Sequence, residues 1–354
     1  MQKLIEAWSG EAVVARYDRA AQAWMFIAIH DTTLGAAMGG CRMKVYGSPE
    51  DALRDAMRLA EGMTCKWATV GFDLGGGKSV LAVPRRLEGA EREGLLRRFG
   101  RLIDSLRGAY ACGPDLGTTP EDMAVIAQET AHVHGGTRQG ETADPGPYTA
   151  LGVWAGIRAA VRHTFGSNEL TGRSVLIEGV GDVGRPLARL LHDSGARILV
   201  SDIEAERAGA MASEVGGEVV AAQDVYNTPC DVYAPCAVGA TLNAETIPAL
   251  RCRIVAGSAN NQLSRPEDAE QLYARGILYA PDYVINAGGA TALPLLGRGE
   301  QTEAQIRDRI AGFERALEEI FSEAAAGNES PLHAAARRVE RVLEARRRER
   351  WPER

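Results

Sequence analysis

The sequence predicts an α/β protein of two domains, on the basis of three observations. Its 354 residues are enough for two domains, and segments with strand periodicity alternate with segments that have helix periodicity. A strand, a glycine-rich turn, a helix and a second strand follow one another over residues 174–202, as in a doubly wound parallel sheet. The clearest break in the first half is Asp144-Pro145-Gly146-Pro147, so we place the domain boundary near residues 136–147.

The composition excludes several classes of protein. Apolar residues make up 45% of the chain and charged residues 25%, which is ordinary for a globular protein, and the net charge of -7 provides no basic field for nucleic acid. The six cysteines form no Cys-x-x-Cys pair, which argues against a zinc site and fits a reducing cytosol. Neither a leader peptide nor an apolar run of about 18 residues is evident. We therefore expect a cytoplasmic protein without a metal ion or a membrane span.

The first half begins with strands and continues into a capped helix. Apolar runs over residues 12–17 and 23–29 predict two strands separated by a polar turn. The pair Gly39 and Gly40 then indicates either a bulge or a length of backbone that a ligand approaches closely. Ser48, followed by proline, predicts the start of a helix.

Two lysines stand twelve residues apart after that helix start. Lys66 follows Met63 by three residues, so both side chains lie on one face of the predicted helix. Lys78 follows three consecutive glycines, which we expect to form a loop before a strand. These residues alone leave two interpretations open: a solvated lysine after a flexible turn, or a positioned amine whose pKa falls when it is crowded and partly buried.

Asp115 comes directly after a short apolar strand and before a helix that Thr119 is predicted to cap. A carboxylate at the end of a strand is well placed for a functional site. The commoner alternative is an aspartate that accepts hydrogen bonds from the amides of its own turn.

The most specific pattern begins with the strand at residues 174–178 and ends at Asp202. The turn after that strand matches G-x-G-x-x-G and contains Gly179, Gly181, Asp182, Val183 and Gly184. The following helix would offer free amides to a pyrophosphate. Asp202 stands 18 residues beyond Gly184, where a carboxylate binds the ribose hydroxyls and repels a 2′-phosphate. The pattern therefore predicts a dinucleotide site that favours NAD over NADP.

Three further strand-and-turn units, at residues 231–237, 254–262 and 278–281, continue the predicted parallel sheet. Ligands of such sheets lie beyond the carboxyl ends of the strands. Asn260 falls at one such end, where its side chain either forms a turn or binds a ligand.

Taken in order, these motifs resemble the Glu/Leu/Phe/Val dehydrogenase superfamily, and most closely its leucine and phenylalanine dehydrogenase branch. The matching motifs are MGGCRM, GMTCK, GGGKSV, DLGTTPEDM, DPGPYTALGV, GVGDVG, AGSANNQL and YAPDYVINAGG. The resemblance implies a catalytic domain over residues 1–140, completed by 330–354, which faces a Rossmann NAD-binding domain over 145–328 across a cleft. It also implies a homo-oligomer that converts an L-amino acid reversibly to the 2-oxo acid and ammonia.

The resemblance assigns roles to individual residues. Lys66 matches the lysine that binds the substrate carboxylate, Lys78 the lysine that activates water, and Asp115 the carboxylate that exchanges protons with the amino nitrogen. The other matching positions are the substrate-lining Gly39, Gly40 and Met63 and the cofactor-contacting Thr149, Asp202, Ala237 and Asn260, the last near both ligands. A lysine ordinarily titrates near a pH of about 10.4, so burial and a second ammonium are needed to make it a base.

The substrate side chain is expected to be large. Gly113 stands where leucine-type enzymes usually carry alanine, and Ala290 and Leu293 stand where they usually carry valine. Gly113 and Ala290 remove volume from the expected pocket, which leaves room for a ring. We therefore expect phenylalanine, with leucine or valine as the alternative.

The sequence departs from the pattern of the family beside the first lysine, where Cys65 and Trp67 flank Lys66. Trp67 is expected either to pack in the helix or to reshape the cleft.

Two other functions compete with this interpretation. A 2-hydroxy-acid dehydrogenase would need a histidine as acid and base, and none of the six histidines falls in a motif. A non-catalytic NAD-binding protein has no need for the full set of Lys66, Lys78 and Asp115.

Overall fold

The computed structural model describes residues 1–135, 144–298 and 301–350. The chain divides into two compact units, which are Met1–Ala143 with Leu293–Glu300 and Val339–Arg354, and Asp144–Ala292 with Gln301–Arg338. Residues 293–298 thus group with the first unit and residues 330–338 with the second, whereas the expected catalytic domain excludes the former and includes the latter. The expected break near residues 136–147 falls partly on residues 136–143, which lie outside the described part.

The first unit contains a five-stranded mixed sheet within the described residues, in the order β1-β2-β4-β3-β5. Strands β3, β4 and β5 are parallel, and β2 runs antiparallel to both β1 and β4. The elements are β1 (Ala12–Asp18), β2 (Ala23–Asp31), β3 (Ala37–Lys44), β4 (Gly75–Ala82), β5 (Tyr110–Pro114), α1 (Gln2–Glu6), α2 (Pro49–Val70), α3 (Gly89–Asp104) and α4 (Pro120–Ile126).

The two faces of this sheet are covered by different helices. Helix α2 packs on one face in a buried cluster that includes Val80 of β4, whereas α3 and α4 pack on the other face with Leu81. Since side chains alternate along a strand, Lys78 lies on the same face as Val80. The sheet therefore presents Lys78 to helix α2.

The three glycines before Lys78 lie inside β4, so the expected loop at this point is wrong. A Cβ at Gly76 would lie 1.9 Å from Thr64 Oγ1, and one at Gly77 would lie 2.8 Å from the ring of Tyr110. The glycines are required because helix α2 on one face and the Tyr110 ring of β5 on the other approach β4 too closely for a side chain, rather than because the chain must turn.

The second unit contains a parallel sheet in the order β11-β10-β9-β6-β7-β8, which confirms the predicted doubly wound α/β class. The winding reverses between β6 and β9. The elements from residue 144 onward are α5 (Gly146–Phe165), β6 (Ser174–Glu178), α6 (Gly184–Asp193), β7 (Arg197–Ser201), α7 (Ala205–Val215), β8 (Glu218–Val219), β9 (Val232–Pro235), β10 (Ile254–Val255), α8 (Asp268–Ala274), β11 (Leu278–Tyr279), α9 (Asp282–Ile285), α10 (Gly288–Arg298), α11 (Glu303–Ala311), α12 (Phe313–Gly327), α13 (Pro331–Arg350) and the 3₁₀ helices Ala222–Asn227 and Ile247–Ala249.

The basic end of the chain forms the last turns of α13. Arg347 donates to Asp31 Oδ2 at 2.7 Å, and Arg350 donates to the carbonyl oxygens of Thr32 and Thr33. These arginines thus bind the loop that follows β2. Within the residues that the structure describes, every helix lacks the length or the apolar character needed to cross a bilayer.

Candidate active site

An ion pair between Lys78 and Asp115 lies at the centre of the first unit's candidate site. Lys78 Nζ lies 3.1 Å from Asp115 Oδ2, and the two side chains are 6% and 17% exposed. Lys78 stands in the middle of β4, whereas Asp115 directly follows β5. Because β3, β4 and β5 are parallel, the end of β5 brings the carboxylate to the amine across β3.

Gly40 of β3 separates the two partners and leaves the space that they occupy. A Cβ at this position would lie 2.7 Å from Cβ of Asp115 and 3.0 Å from Nζ of Lys78. A Cβ at Gly39 would lie 1.7 Å from the carbonyl oxygen of Gly77 and 3.3 Å from Cγ of Met63. Gly39, Gly40 and Met63 are therefore brought together with the ion pair, as the sequence predicts.

Electrostatics keep the carboxylate ionised and weaken the ammonium. Burial alone would raise the pKa of Asp115, but Lys78 and Arg42 outweigh it and lower that pKa to about 2. Burial lowers the pKa of Lys78 below its ordinary value; Asp115 opposes this shift and Arg42 adds to it. The pair therefore combines an ionised acid with an amine that loses its proton more readily than a free lysine.

A second carboxylate stands behind this pair. Arg42 Nε donates to Asp115 Oδ2 at 2.8 Å, and Arg42 Nη1 donates to Asp55 Oδ2 at 3.0 Å. Tyr46 donates its hydroxyl to the same Asp55 oxygen at 2.7 Å. Arg42, Asp55 and Tyr46 are not among the site residues that the sequence predicts. One sequence signal could have indicated Arg42: it stands two residues after Gly40 on the same predicted strand, so its side chain lies on the face of the sheet that Gly40 leaves open.

Lys66 lies in α2, where it is only 8% exposed, one turn after Met63. The neighbouring Trp67 is 1% exposed and donates its Nε1 hydrogen to the carbonyl oxygen of Met38 at 3.1 Å. Trp67 therefore packs inside the unit and ties α2 to the start of β3.

The three residues expected to line the side-chain pocket can be described one by one. Gly113 of β5 pairs with Gly40, and a Cβ there would have only the carbonyl oxygen of His134 within 4 Å, at 3.6 Å. Leu293 belongs to the first unit and is buried, and Ala290 belongs to the second unit and is half-buried. Gly113 therefore has room for a methyl group.

The glycine-rich turn after β6 has the features of a phosphate site. Gly179 has φ +91°, and a Cβ there would lie 2.8 Å from Cβ of Ala237. A Cβ at Gly184 would lie 1.9 Å from the carbonyl oxygen of Gly179, which brings α6 close to the sheet. Gly181 is exposed with nothing within 4 Å of a Cβ.

The start of α6 supports the same interpretation. Val183 stands at its N-cap without a side-chain hydrogen bond, and the first turn carries no acidic residue. Asp182 is exposed beside it. Arg185 donates its amide to the carbonyl oxygen of Gly181, and Pro186 has no amide hydrogen, so the amides of Val183 and Gly184 are the ones at this helix start that can face an anionic pyrophosphate, and these residues fit a dinucleotide.

Asp202 follows β7 and is held by backbone amides. Its Oδ2 accepts from the amide of Val180 at 2.9 Å, and its Oδ1 accepts from the amide of Glu204 at 2.9 Å. Each carboxylate oxygen keeps a second lone pair for a ribose hydroxyl. Ile203, which directly follows Asp202, is 93% exposed, and Val238, which directly follows Ala237, is 66% exposed. The sequence motifs do not single out these two exposed apolar side chains.

Two asparagines and a threonine complete the site of the second unit. Asn286 donates its Nδ2 hydrogens to the carbonyl oxygen of Ser258 at 3.1 Å and to Asn260 Oδ1 at 2.8 Å. Because a carbonyl oxygen can only accept, these two hydrogen bonds fix the orientation of both side-chain amides. They leave Nδ2 of the exposed Asn260 as a donor to a ligand. Thr149 Oγ1 accepts from the amide of Gly289 at 3.1 Å, which joins α5 to the start of α10.

Two family models match the chain. The model described as Glu/Leu/Phe/Val dehydrogenase, dimerisation domain, matches residues 14–132. The model described as Glutamate/Leucine/Phenylalanine/Valine dehydrogenase matches residues 199–349. The two matches include Lys66, Lys78 and Asp115 in the first unit and Asp202 and Asn260 in the second.

Known proteins resemble the chain over most of its length. The leucine dehydrogenase of Geobacillus stearothermophilus is 42% identical over 351 residues, which are 99% of this chain and 95% of that enzyme. The phenylalanine dehydrogenase of Lysinibacillus sphaericus is 39% identical over 90% of this chain and 84% of that enzyme. The crystal structure of L-tryptophan dehydrogenase from Nostoc punctiforme matches with a TM-score of 0.82 and 37% identity, over 98% of this chain and 100% of that one.

Proposed function

The chain belongs to the Glu/Leu/Phe/Val dehydrogenase family and is an amino acid dehydrogenase, and on that premise we propose that it deaminates L-leucine and related branched-chain amino acids oxidatively and reversibly. The products are the 2-oxo acid and ammonia. The observation that carries the reaction is the Lys78–Asp115 ion pair beside Gly40. This pair supplies a base of lowered pKa and an ionised carboxylate at one point.

Lys78 acts as the general base. Nicotinamide, when bound, accepts the hydride that leaves the α-carbon of the substrate. The carbon that results is double-bonded to nitrogen and must be attacked by water, which requires removal of a proton. Lys78 accepts that proton, because burial favours the neutral amine.

Asp115 exchanges protons with the amino nitrogen of the substrate. Both Lys78 and Arg42 contact its Oδ2, so Oδ1 is the oxygen that faces the nitrogen. Lys66 binds the substrate carboxylate as a buried ammonium. Only four of the chain's 40 basic residues are lysines, namely Lys3, Lys44, Lys66 and Lys78. Two of the four, Lys66 and Lys78, are thus buried, and both have assigned roles in the reaction.

We assign the cofactor as NAD. Asp202 supports this choice, because its carboxylate lies one strand from the glycine-rich turn and would repel a 2′-phosphate. Gly179, Gly181 and the start of α6 hold the pyrophosphate, and Asn260 donates from its Nδ2 to the substrate or the nicotinamide.

Leucine is preferred over phenylalanine as the proposed substrate. The leucine dehydrogenase of Geobacillus stearothermophilus is more similar to the chain, and over more of its length, than the phenylalanine dehydrogenase of Lysinibacillus sphaericus. The tryptophan dehydrogenase structure and the space above Gly113 keep a large aromatic substrate as the second candidate.

The experiment that tests this proposal follows NADH absorbance with NAD and leucine, valine, isoleucine, phenylalanine or tryptophan. We expect the highest kcat/KM with leucine. Lys78→Ala should lower kcat by roughly 100-fold or more, as expected for loss of a general base. Lys66→Ala should mainly raise KM, and Lys3→Ala, at an exposed position, serves as the control. Turnover of Lys78→Ala at the wild-type rate would contradict the assigned base.

We also propose that the enzyme is a homo-oligomer. The family model that matches residues 14–132 is described as a dimerisation domain. Light scattering after size-exclusion chromatography should give a mass that is a multiple of 37.9 kDa. A mass of one chain at micromolar concentration would contradict the proposal.

A further inference from the structure

We propose that Arg42 is a positioning residue that holds Asp115 and Lys78 in their reactive arrangement, and that Asp55 and Tyr46 in turn hold Arg42. This inference rests on the proposed function in one respect, which is that Lys78 and Asp115 carry the reaction. It adds three residues to the site that are not needed to bind substrate or cofactor. Their effect reaches the reacting atoms through Asp115.

The geometry of Arg42 is that of a bridge between two carboxylates. Its Nε donates to Asp115 Oδ2 at 2.8 Å, and its Nη1 donates to Asp55 Oδ2 at 3.0 Å. The arginine and Asp55 side chains are 13% and 12% exposed, so the bridge is largely shielded from water. A guanidinium can bind two carboxylates at fixed angles because its donors lie in one rigid plane, which an ammonium cannot do.

Asp55 is itself fixed from two sides. Tyr46 donates its hydroxyl hydrogen to Asp55 Oδ2 at 2.7 Å, and Nη2 of Arg58 lies 3.5 Å from Asp55 Oδ1. Asp55 belongs to α2, the same helix that carries Met63 and Lys66. The bridge therefore links the helix that carries the substrate-binding lysine to the carboxylate at the end of β5.

Burial is the largest cause of the lowered pKa of Lys78, and the charge of Arg42 lowers that pKa further. Asp115 favours the charged form of Lys78, whereas Arg42 disfavours it and shares the same carboxylate oxygen. Without Arg42, Asp115 would pair with Lys78 alone, and the pKa of Lys78 would rise. The other titratable or charged groups around this cluster are Asp55 and Arg58 of α2, Tyr46, Cys41 of β3, and Tyr110 and Cys112 of β5.

The test combines a pH profile with a direct titration of Lys78. In Arg42→Gln we expect kcat at neutral pH to fall at least roughly tenfold, because a misplaced reacting group is costly. Lys78 must be unprotonated to act as a base, so the acidic limb of the kcat profile should move to higher pH. Arg42→Lys should bring that limb back towards the wild-type pH while kcat stays low, because lysine restores the positive charge but not the planar set of donors that binds two carboxylates.

Two further variants keep the proposal testable if Arg42→Gln fails to fold. Tyr46→Phe removes one hydrogen bond to Asp55, and Asp55→Asn removes one charge from the bridge. Both should lower kcat less than Arg42→Gln does. Because the charge of Asp55 favours the protonated form of Lys78, Asp55→Asn should move the acidic limb of the kcat profile to lower pH, opposite to Arg42→Gln, whereas Tyr46→Phe should leave the limb near the wild-type pH. Arg54→Gln is the matched control, since Arg54 stands one residue before Asp55 but pairs with Asp51 at the surface.

Titration of ε-¹³C-lysine signals by NMR gives a readout that does not depend on turnover. The chain has only four lysines, so the Lys78 signal can be assigned from its loss in Lys78→Ala. A higher pKa of Lys78 in Arg42→Gln than in the wild type supports the proposal. An unchanged pKa together with an unchanged kcat profile overturns it. A wild-type enzyme that turns over no amino acid would instead overturn the proposed function.

Discussion

Lys78 Nζ lies 3.1 Å from Asp115 Oδ2 in a part of the protein that excludes most water. Each charge of this pair favours the ionised form of the other, but burial outweighs that effect at Lys78 and lowers its pKa, so neither residue titrates as it would alone. Because folding lowers the pKa of Asp115 to about 2, the ion pair can be measured as a dependence of the free energy of unfolding on pH.

Asp115→Asn should reduce the free energy of unfolding by about 2 kcal/mol at neutral pH, the equivalent of a pKa that folding lowers from 3.8 to about 2. A carboxylate whose pKa falls on folding stabilises the protein above its unfolded pKa. That contribution is lost as the pH falls through the folded pKa. The difference in urea unfolding between wild type and variant should therefore be constant above about pH 5 and shrink between about pH 4 and pH 2. Asp104→Asn, on the exposed side of α3, is the control, and a difference that does not vary with pH would contradict the ion pair.

Gly40→Ala should lower kcat by roughly 100-fold, because a displacement of the reacting groups by about 1 Å has an effect of this size. The added Cβ would lie 2.7 Å from Cβ of Asp115, so the carboxylate or the strand must move. Gly62→Ala is the matched control, because a Cβ at that position in α2 has nothing within 4 Å. It should keep full activity and gain about 0.5–1 kcal/mol of stability from the better helix former. Full activity of Gly40→Ala would show that the glycine is not needed for the space beside Lys78.

The sequence predicts the members of the site better than their contacts. Lys78 follows three glycines and Asp115 follows a short apolar strand, and both are local signals that can be read along the chain. The role of Arg42 depends on the pairing of β3 with β5 and on the docking of α2, since its partner Asp115 is 73 residues away. Contacts over such separations are set by the tertiary fold, and no periodicity in a single sequence reports them.

The same limit explains the error at the three glycines before Lys78. Consecutive glycines are typical of a turn, and the sequence analysis interprets them as a loop. Inside β4 they are required instead by Thr64 of helix α2 and by the ring of Tyr110, which reaches β4 from β5. The G-x-G-x-x-G turn after β6 was predictable because its strand, turn and helix are adjacent in the chain.

Asn286→Ala should lower kcat/KM for the amino acid by roughly tenfold, an effect that depends on Asn260. The asparagine fixes the amide of Asn260 through its hydrogen bonds to Ser258 and Asn260. Without it, the Asn260 amide can rotate and present its oxygen in place of its NH₂ group. A double-mutant cycle tests this point, because the effect of Asn286→Ala should vanish in an Asn260→Ala background. Additive effects would contradict the coupling, and Asn227→Ala, at an exposed position, is the control.

Asp202→Asn should raise kcat/KM with NADP relative to NAD by roughly tenfold, because it removes a negative charge from the site expected for the 2′-phosphate. Asparagine keeps an oxygen that can accept from the amide of Val180, so the glycine-rich turn should stay in place. The measurement is the ratio of kcat/KM values for the two cofactors at low salt. Glu204→Gln, which removes an exposed charge two residues away, should change the ratio less. An unchanged ratio in Asp202→Asn would remove the basis for preferring NAD.

Gly113→Ala should leave the fold intact and shift selectivity towards smaller side chains. A Cβ at Gly113 meets only the carbonyl oxygen of His134, at 3.6 Å, which is ordinary van der Waals contact. If the substrate side chain lies over this glycine, the methyl group takes space from an aromatic ring before it takes space from leucine. One methyl group in such a pocket changes selectivity by about 1–3 kcal/mol, so the ratio of kcat/KM for leucine over phenylalanine should rise at least roughly tenfold. An unchanged ratio would mean that Gly113 does not border the side chain, and that substrate size is set by residues such as Leu293 and Ala290.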